Sequence, residues 1–141
     1  MTTLRLKDNQ TQDLISAAQN FTASWVQLGD KRIDCRDKQK IALWFNLDVN
    51  DSLNMRFRAV GFKDETDSDA YVLPIMSVSS SKVELADEYY EFADDDDQRM
   101  IVEIDVLDVL PYVEIQIQAG TAGVSPGQID EAMISARTER R

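Results

Sequence analysis

Acidic side chains are the residues of this chain most able to do chemistry. Asp94, Asp95, Asp96 and Asp97 stand in an unbroken run. A hard cation takes several carboxylate and carbonyl oxygens, so the run is a candidate Ca²⁺ site. Its spacing does not alternate and does not end in Glu, as an EF-hand loop would. It fits better a solvated hairpin tip whose charges discourage edge pairing. Asp64, Glu65, Asp67 and Asp69, in the stretch KDETDSD, carry the same two readings. Glu84, Glu88, Glu103 and Glu114 could supply a carboxylate pair for glycoside hydrolysis. Nothing in their spacing holds any two at a useful separation, and acids on a wet sheet face explain them. Cys35 could be a nucleophile, but the chain contains no histidine to act as its base. That absence also removes the commonest metal ligand and the physiological-pH switch. Gly120, Gly123 and Gly127 do not fit a phosphate-binding GxxxxGK loop and read as a turn that needs positive φ. The expectation is a protein with no catalytic residue, no cofactor and no required metal.

The aromatic residues offer binding rather than catalysis. Trp25, Trp44, Tyr89 and Tyr90 could form a platform for a sugar or a protein partner. Trp44 is the best candidate, because its parity opposes Ile41, Leu43 and Phe45. Packing in the core or at a sheet edge is the alternative for all four. Residues 1–11 are polar and read as an arm that could order on a neighbouring subunit, with Leu4 and Leu6 as its apolar contacts.

The elements that must position these groups are strands. Ile41–Val49 alternates Ile41, Leu43, Phe45, Leu47 and Val49 with Ala42, Trp44, Asn46 and Asp48. Leu53–Phe62 places Leu53, Met55, Phe57 and Ala59 inward, with Asn54, Arg56 and Arg58 outward, and the pair reads as a hairpin. Met100–Val106 and Tyr112–Ala119 alternate in the same way. A Gly-rich connection of about eight residues then leads to a second alternating run from Gln128, as a hairpin or as a crossover between packed sheets. Asp130–Arg137 is the one stretch where a short helix competes. Pro74 puts a strand over Ala70–Val78 at an edge or a bend. Cys35 sits in what reads as an exposed turn. About eight to ten strands with no sustained helical period predict an all-β antiparallel sandwich. Leu43, Phe45, Phe57, Val102, Ile104, Ile115 and Ile117 are its predicted core.

Composition narrows the classes. A chain of 141 residues can bury a core as one domain, residues 1–141, without staples. Acidic residues outnumber basic ones 26 to 15, for a net charge of −11. Such a surface repels phosphate backbones and the negative cytoplasmic leaflet, so nucleic acid and membrane are not expected partners. No apolar stretch approaches the roughly 18 residues of a membrane span, and the first residues carry no signal-peptide pattern. A single cysteine fits a reducing cytosol.

The order of the pieces carries a resemblance. A Trp strand with a Gly29-Asp30 turn is followed by LWFNLDVNDS, MRFRAVGF, a Tyr-Val-Leu-Pro strand and a Tyr-Tyr-Glu-Phe strand. PYVEIQIQAGTAG and GQID close the series. Over roughly residues 20–136 this resembles small β-sandwich virion proteins of tailed bacteriophages, of the capsid decoration or cement type. The resemblance implies a jelly-roll-like module, a homo-oligomer with a trimer favoured, and other virion proteins as partners, the major capsid protein first. It implies a protein made in the host cytoplasm and resident in the virion. A carbohydrate- or receptor-binding module of a phage tail or baseplate is the alternative.

Overall fold

The computed structural model describes residues 2–48, 53–73, 75–79, 82–87, 89–92, 98–121 and 127–137. Fourteen strands and no helix occur among them. In chain order they are β1 (Thr2–Arg5), β2 (Thr11–Asp13), β3 (Gln19–Asn20), β4 (Val26–Gln27), β5 (Lys31–Asp34), β6 (Lys40–Asp48) and β7 (Leu53–Phe62). They continue with β8 (Tyr71–Val72), β9 (Ile75–Ser79), β10 (Lys82–Asp87), β11 (Tyr90–Phe92), β12 (Gln98–Asp105), β13 (Tyr112–Thr121) and β14 (Gln128–Arg137). The number exceeds the sequence expectation because the first thirty residues form short pieces of two to four residues. Asp130–Arg137 lies wholly in β14, a strand and not a helix.

Two sheets pack into a sandwich. Sheet A runs β1-β5-β13-β7-β11, with β4 also on β13 and β8 on β7; sheet B runs β12-β6-β14-β2, with β3 on β14. All pairs are antiparallel except β1 with β5. β9 and β10 form a separate antiparallel pair. The inward parities of both sheets meet in one core, where Phe45 of β6 and Phe57 of β7 touch edge to face at 5.3 Å. Leu43, Phe45, Phe57, Ile104, Ile115 and Ile117 are buried as the alternation predicts; Val102 is half-buried, because β12 is the outermost strand of sheet B.

Three sequence expectations are overturned by this topology. β6 and β7 are not a hairpin. β6 pairs with β12 and β14, and β7 pairs with β13 and β11, so the connection between them crosses from one sheet to the other. β13 and β14 are likewise split between sheets, which selects the crossover reading of their Gly-rich connection. In both cases the inward faces of the two strands meet across the sandwich core instead of lying side by side in one sheet.

Within the predicted arm, residues 2–11 are also not free. β1 pairs with β5 from Thr2 to Arg5, Leu4 packs on the core and Leu6 is buried. Their polar neighbours face out while alternate leucines face in, a strand pattern too short to be distinctive. Cys35, finally, is not in an exposed turn. It lies at the end of β5, is 1% exposed, and its N–H donates to the Pro111 carbonyl. Asp34 pairs with Arg36 beside it, and Lys38 pairs with Asp8 from the segment between β1 and β2.

Two glycines are required by position. Gly29 has φ +79°, and a Cβ there would collide with the Leu14 carbonyl. Its N–H donates to Gln19 Oε1 at 2.8 Å, which ties the turn before β5 to β3. Gly61 lies under Leu110, whose Cβ would stand 2.8 Å from an added methyl group.

Candidate interaction surfaces

The outer face of sheet A is closed by its own side chains and loops. Arg56 and Arg58 project from β7 beside Gln118 and Gln116 of β13, and bond to them at 3.2 and 2.8 Å. Arg58 lies against the Trp25 ring at 4.2 Å and Arg56 against Tyr89 at 4.8 Å, while Trp25 and Tyr89 touch each other at 5.9 Å. Gln118 reaches on to the Ala23 carbonyl. Trp25 and Tyr89 are therefore half-buried lids over the two guanidinium groups.

At the other end of the same face lies Arg32, only 2% exposed. Its Nη1 donates to the carbonyls of Asp64, Glu65 and Asp67 at 3.2, 3.0 and 2.9 Å. Its guanidinium stacks on Phe62 at 3.5 Å, and Nε lies 3.7 Å from Glu114. The acidic loop thus folds over a cation supplied by the chain itself. Its carbonyls converge on the guanidinium, and Asp64 and Asp67 accept the backbone N–H groups of Thr66 and Asp69. The bond from Asp69 holds the Asp67 carboxyl below the usual range. No group of three or more potential metal-ligating side chains gathers among the described residues. Asp94, Asp95, Asp96 and Asp97 lie outside the described residues. Beneath the same loop, Val60, Phe62, Tyr112 and Val72 form a small apolar cluster separate from the main core.

A cleft of about 730 Å³ opens at the end of β5, lined by Arg5, Asp8, Asp34, Arg36, Lys38 and Asp108 among others. Four of its charged side chains pair with one another. Arg36 grips Asp34 through Nε and Nη2 at 3.0 and 2.7 Å, and Lys38 bonds to Asp8. Burial pushes the Asp34 carboxyl up, but the Arg36 bonds outweigh it and the net shift is down. Burial, with the neighbouring Asp34 charge, pushes the Cys35 thiol up to about 12, so it is protonated at neutral pH and a poor nucleophile. Glu103 and Glu114 sit on different sheets, and Glu114 is committed to Arg32. Glu84 is on β10, and Glu88 lies outside the described residues.

The outer face of sheet B is different. The register aligns Ile101 of β12, Trp44 of β6, Met133 of β14 and Asp13 of β2 in one row. Ile101 is 55% exposed, and Trp44 and Met133 are half-buried. Trp44 donates through Nε1 to Ser135 Oγ at 2.8 Å, which draws its ring toward β14. Trp44 separates two grooves. One, about 730 Å³, is lined by Thr11, Gln39, Lys40, Glu103 and Ser135 among others; the other, about 300 Å³, by Asn46, Arg99, Met100, Ile101 and Glu131.

The four aromatic candidates therefore make no common platform. Trp25 and Tyr89 cover sheet A, and Trp44 lies on sheet B. Tyr90 stacks on Phe57 at 4.8 Å and donates to the Glu103 carbonyl at 3.3 Å. Burial raises the Tyr90 hydroxyl pKa, with a smaller push from Asp105. Leu6 is core and presents nothing to a partner. Sequence reasoning missed Ile101, and also Leu107 and Val109 between β12 and β13, which are 45% and 75% exposed. For Ile101 a signal existed: it is the one apolar residue on the parity of Arg99, Glu103 and Asp105. No model of a known protein family matches the chain, and no curated protein matches it.

Proposed function

We propose that the protein is a non-enzymatic structural part of a larger assembly, in the manner of a capsid decoration or cement protein of a phage head. The observation that carries this reading is where the apolar surface lies. Leu107 and Val109 stand exposed between β12 and β13, on one of the connections that join the two sheets, and Ile101 stands exposed on sheet B. Exposed large apolar side chains that gather on particular elements suit protein contacts. The acidic charge would suit a basic surface on the partner, and many weak contacts on a shell gain strength together. The strand and turn order that resembles small virion β-sandwich proteins supports the same reading. A jelly-roll connectivity belongs to this proposal. Mass spectrometry of purified virions is the test: the protein should be present at many copies, and particles without it should lose heat resistance. Virions that lack the protein would overturn the reading.

A carbohydrate-binding role is the second reading, and one observation favours it. The larger groove beside Trp44 combines an indole with Thr11, Gln39, Lys40, Glu103 and Ser135, groups able to bond sugar hydroxyls. Glycan-array binding that disappears in Trp44→Ala would favour it over the assembly reading.

A further inference from the structure

The free edge of sheet B has a hydrogen-bonding phase that can be derived. β12 and β6 pair so that Gln98 opposes Leu47 and Asp105 opposes Lys40. One residue beyond, the Val106 N–H donates to the Gln39 carbonyl at 2.8 Å. Bonded and non-bonded pairs alternate along an antiparallel ladder. Residues 98, 100, 102 and 104 therefore bond to β6, and the N–H and C=O groups of Arg99, Ile101, Glu103 and Asp105 point away from it. The Tyr90 hydroxyl, which reaches the Glu103 carbonyl from sheet A, marks that outward direction independently. No strand among the described residues pairs with β12 on this side. Eight residues pair with β6 in unbroken register, and an edge so regular is a template for another strand.

We propose that this edge pairs antiparallel with the same edge of a second copy of the chain, about a two-fold axis at Ile101. This deepens the assembly reading by naming one contact within it. In that register the sequence of β12 complements itself at Arg99, Ile101 and Glu103. Ile101 meets Ile101 of the second copy, and Arg99 meets Glu103 of the second copy, twice. All three pairs fall on residues whose backbone groups point outward; at Glu103 the Arg99 N–H of the second copy would share or replace the Tyr90 hydroxyl on the carbonyl. A shift of the axis by one residue, to Val102, would still give Arg99 an acid, Asp105, but would set Ile101 against Glu103. Arg99 is exposed and has no ion-pair partner among the described residues, whereas Glu103 is shared only with Lys40 at 3.7 Å. The apolar row Met133-Trp44-Ile101 would then run unbroken across the axis into its copy. A second chain suits the site better than a basic peptide, because it supplies the matching acid and the matching isoleucine together. The contact closes at two copies, so a trimer would need another surface.

Sedimentation at physiological salt, where the net charge of each copy is screened beyond about 8 Å, provides the test. The full chain should show a reversible monomer–dimer equilibrium. Arg99→Glu or Glu103→Arg alone should weaken it about tenfold, since each sets like charges opposite each other twice. The double variant Arg99→Glu/Glu103→Arg should restore it. Hydrogen exchange should show the Ile101 amide gaining protection as concentration rises. A chain that stays monomeric at high concentration, or a double variant no better than the singles, would overturn the proposal. A dimer in solution together with virions that lack the protein would keep this contact and overturn the virion reading.

Discussion

The outer faces of the two sheets solve the same problem in opposite ways. Sheet A covers itself. Its arginines are spanned by Trp25, Tyr89 and two glutamines, and its one buried guanidinium is wrapped by the acidic loop. Sheet B leaves Ile101, Trp44 and Met133 in a row with grooves on either side. Apart from Arg32 Nε and Asp67 Oδ2, which are buried without a hydrogen bond, the polar side chains of the sheet A face are turned to partners within the chain and leave little to offer a partner protein. The open row and the unpaired edge of β12 are on the other sheet. The contrast separates residues that hold the fold from residues free to serve an interface.

The largest test of this contrast is Arg32→Ala. It would leave Glu114 and three loop carbonyls without their cation, and removing one partner of a buried ion pair costs about 3–5 kcal/mol. Denaturant melts should show that loss, and exchange protection over residues 63–69 should fall with it. A cost near zero would show that the loop does not depend on Arg32.

Ile117→Ala should cost about 2–5 kcal/mol, because a fully buried side chain shared by both sheets leaves a cavity. The chain has two tryptophans, Trp25 on sheet A and Trp44 on sheet B. Fluorescence of single-tryptophan variants should therefore report the same midpoint from each sheet. Separate midpoints would mean that the sheets do not share one cooperative core.

Alkaline pH should act through Cys35. An ordinary thiol ionises near 9.0, but this one is held protonated to about 12. The unfolded chain releases its proton first, so stability falls as pH rises from 9.0 toward 12, by up to about 1.4 kcal/mol per pH unit. Cys35→Ala should remove that slope from the stability curve. An unchanged slope in the variant would assign the alkaline loss to other groups.

The smallest expected effect is on sheet B. Ile101→Lys should change stability by no more than about 0.5 kcal/mol, since the side chain is exposed. A loss several times larger would show that Ile101 serves the fold rather than a contact.

The amino-acid sequence by itself determined the strands and their buried faces. Alternation in β6, β7, β12 and β13 needs no partner to be legible, because a strand's two faces differ by one residue. Hence six of seven predicted core residues are buried, and the seventh lies on an edge. The row on sheet B was half legible: Trp44 stands out on the wet parity, while Ile101 and Met133 become a row only when register sets them beside it. Tertiary structure alone decided which strand pairs with which. Two amphipathic strands joined by a short turn can pair side by side or face each other across a core, and β6 with β7 takes the second course. It alone decided the fate of KRIDCRDK as well. Six of its eight residues are charged, yet Arg32, Asp34 and Lys38 are buried. The carbonyls, Arg36 and Asp8 that satisfy them come from the loop after β7, from the turn after β5 and from the segment between β1 and β2. Charge is buried where partners converge, and most of that convergence is a property of the fold.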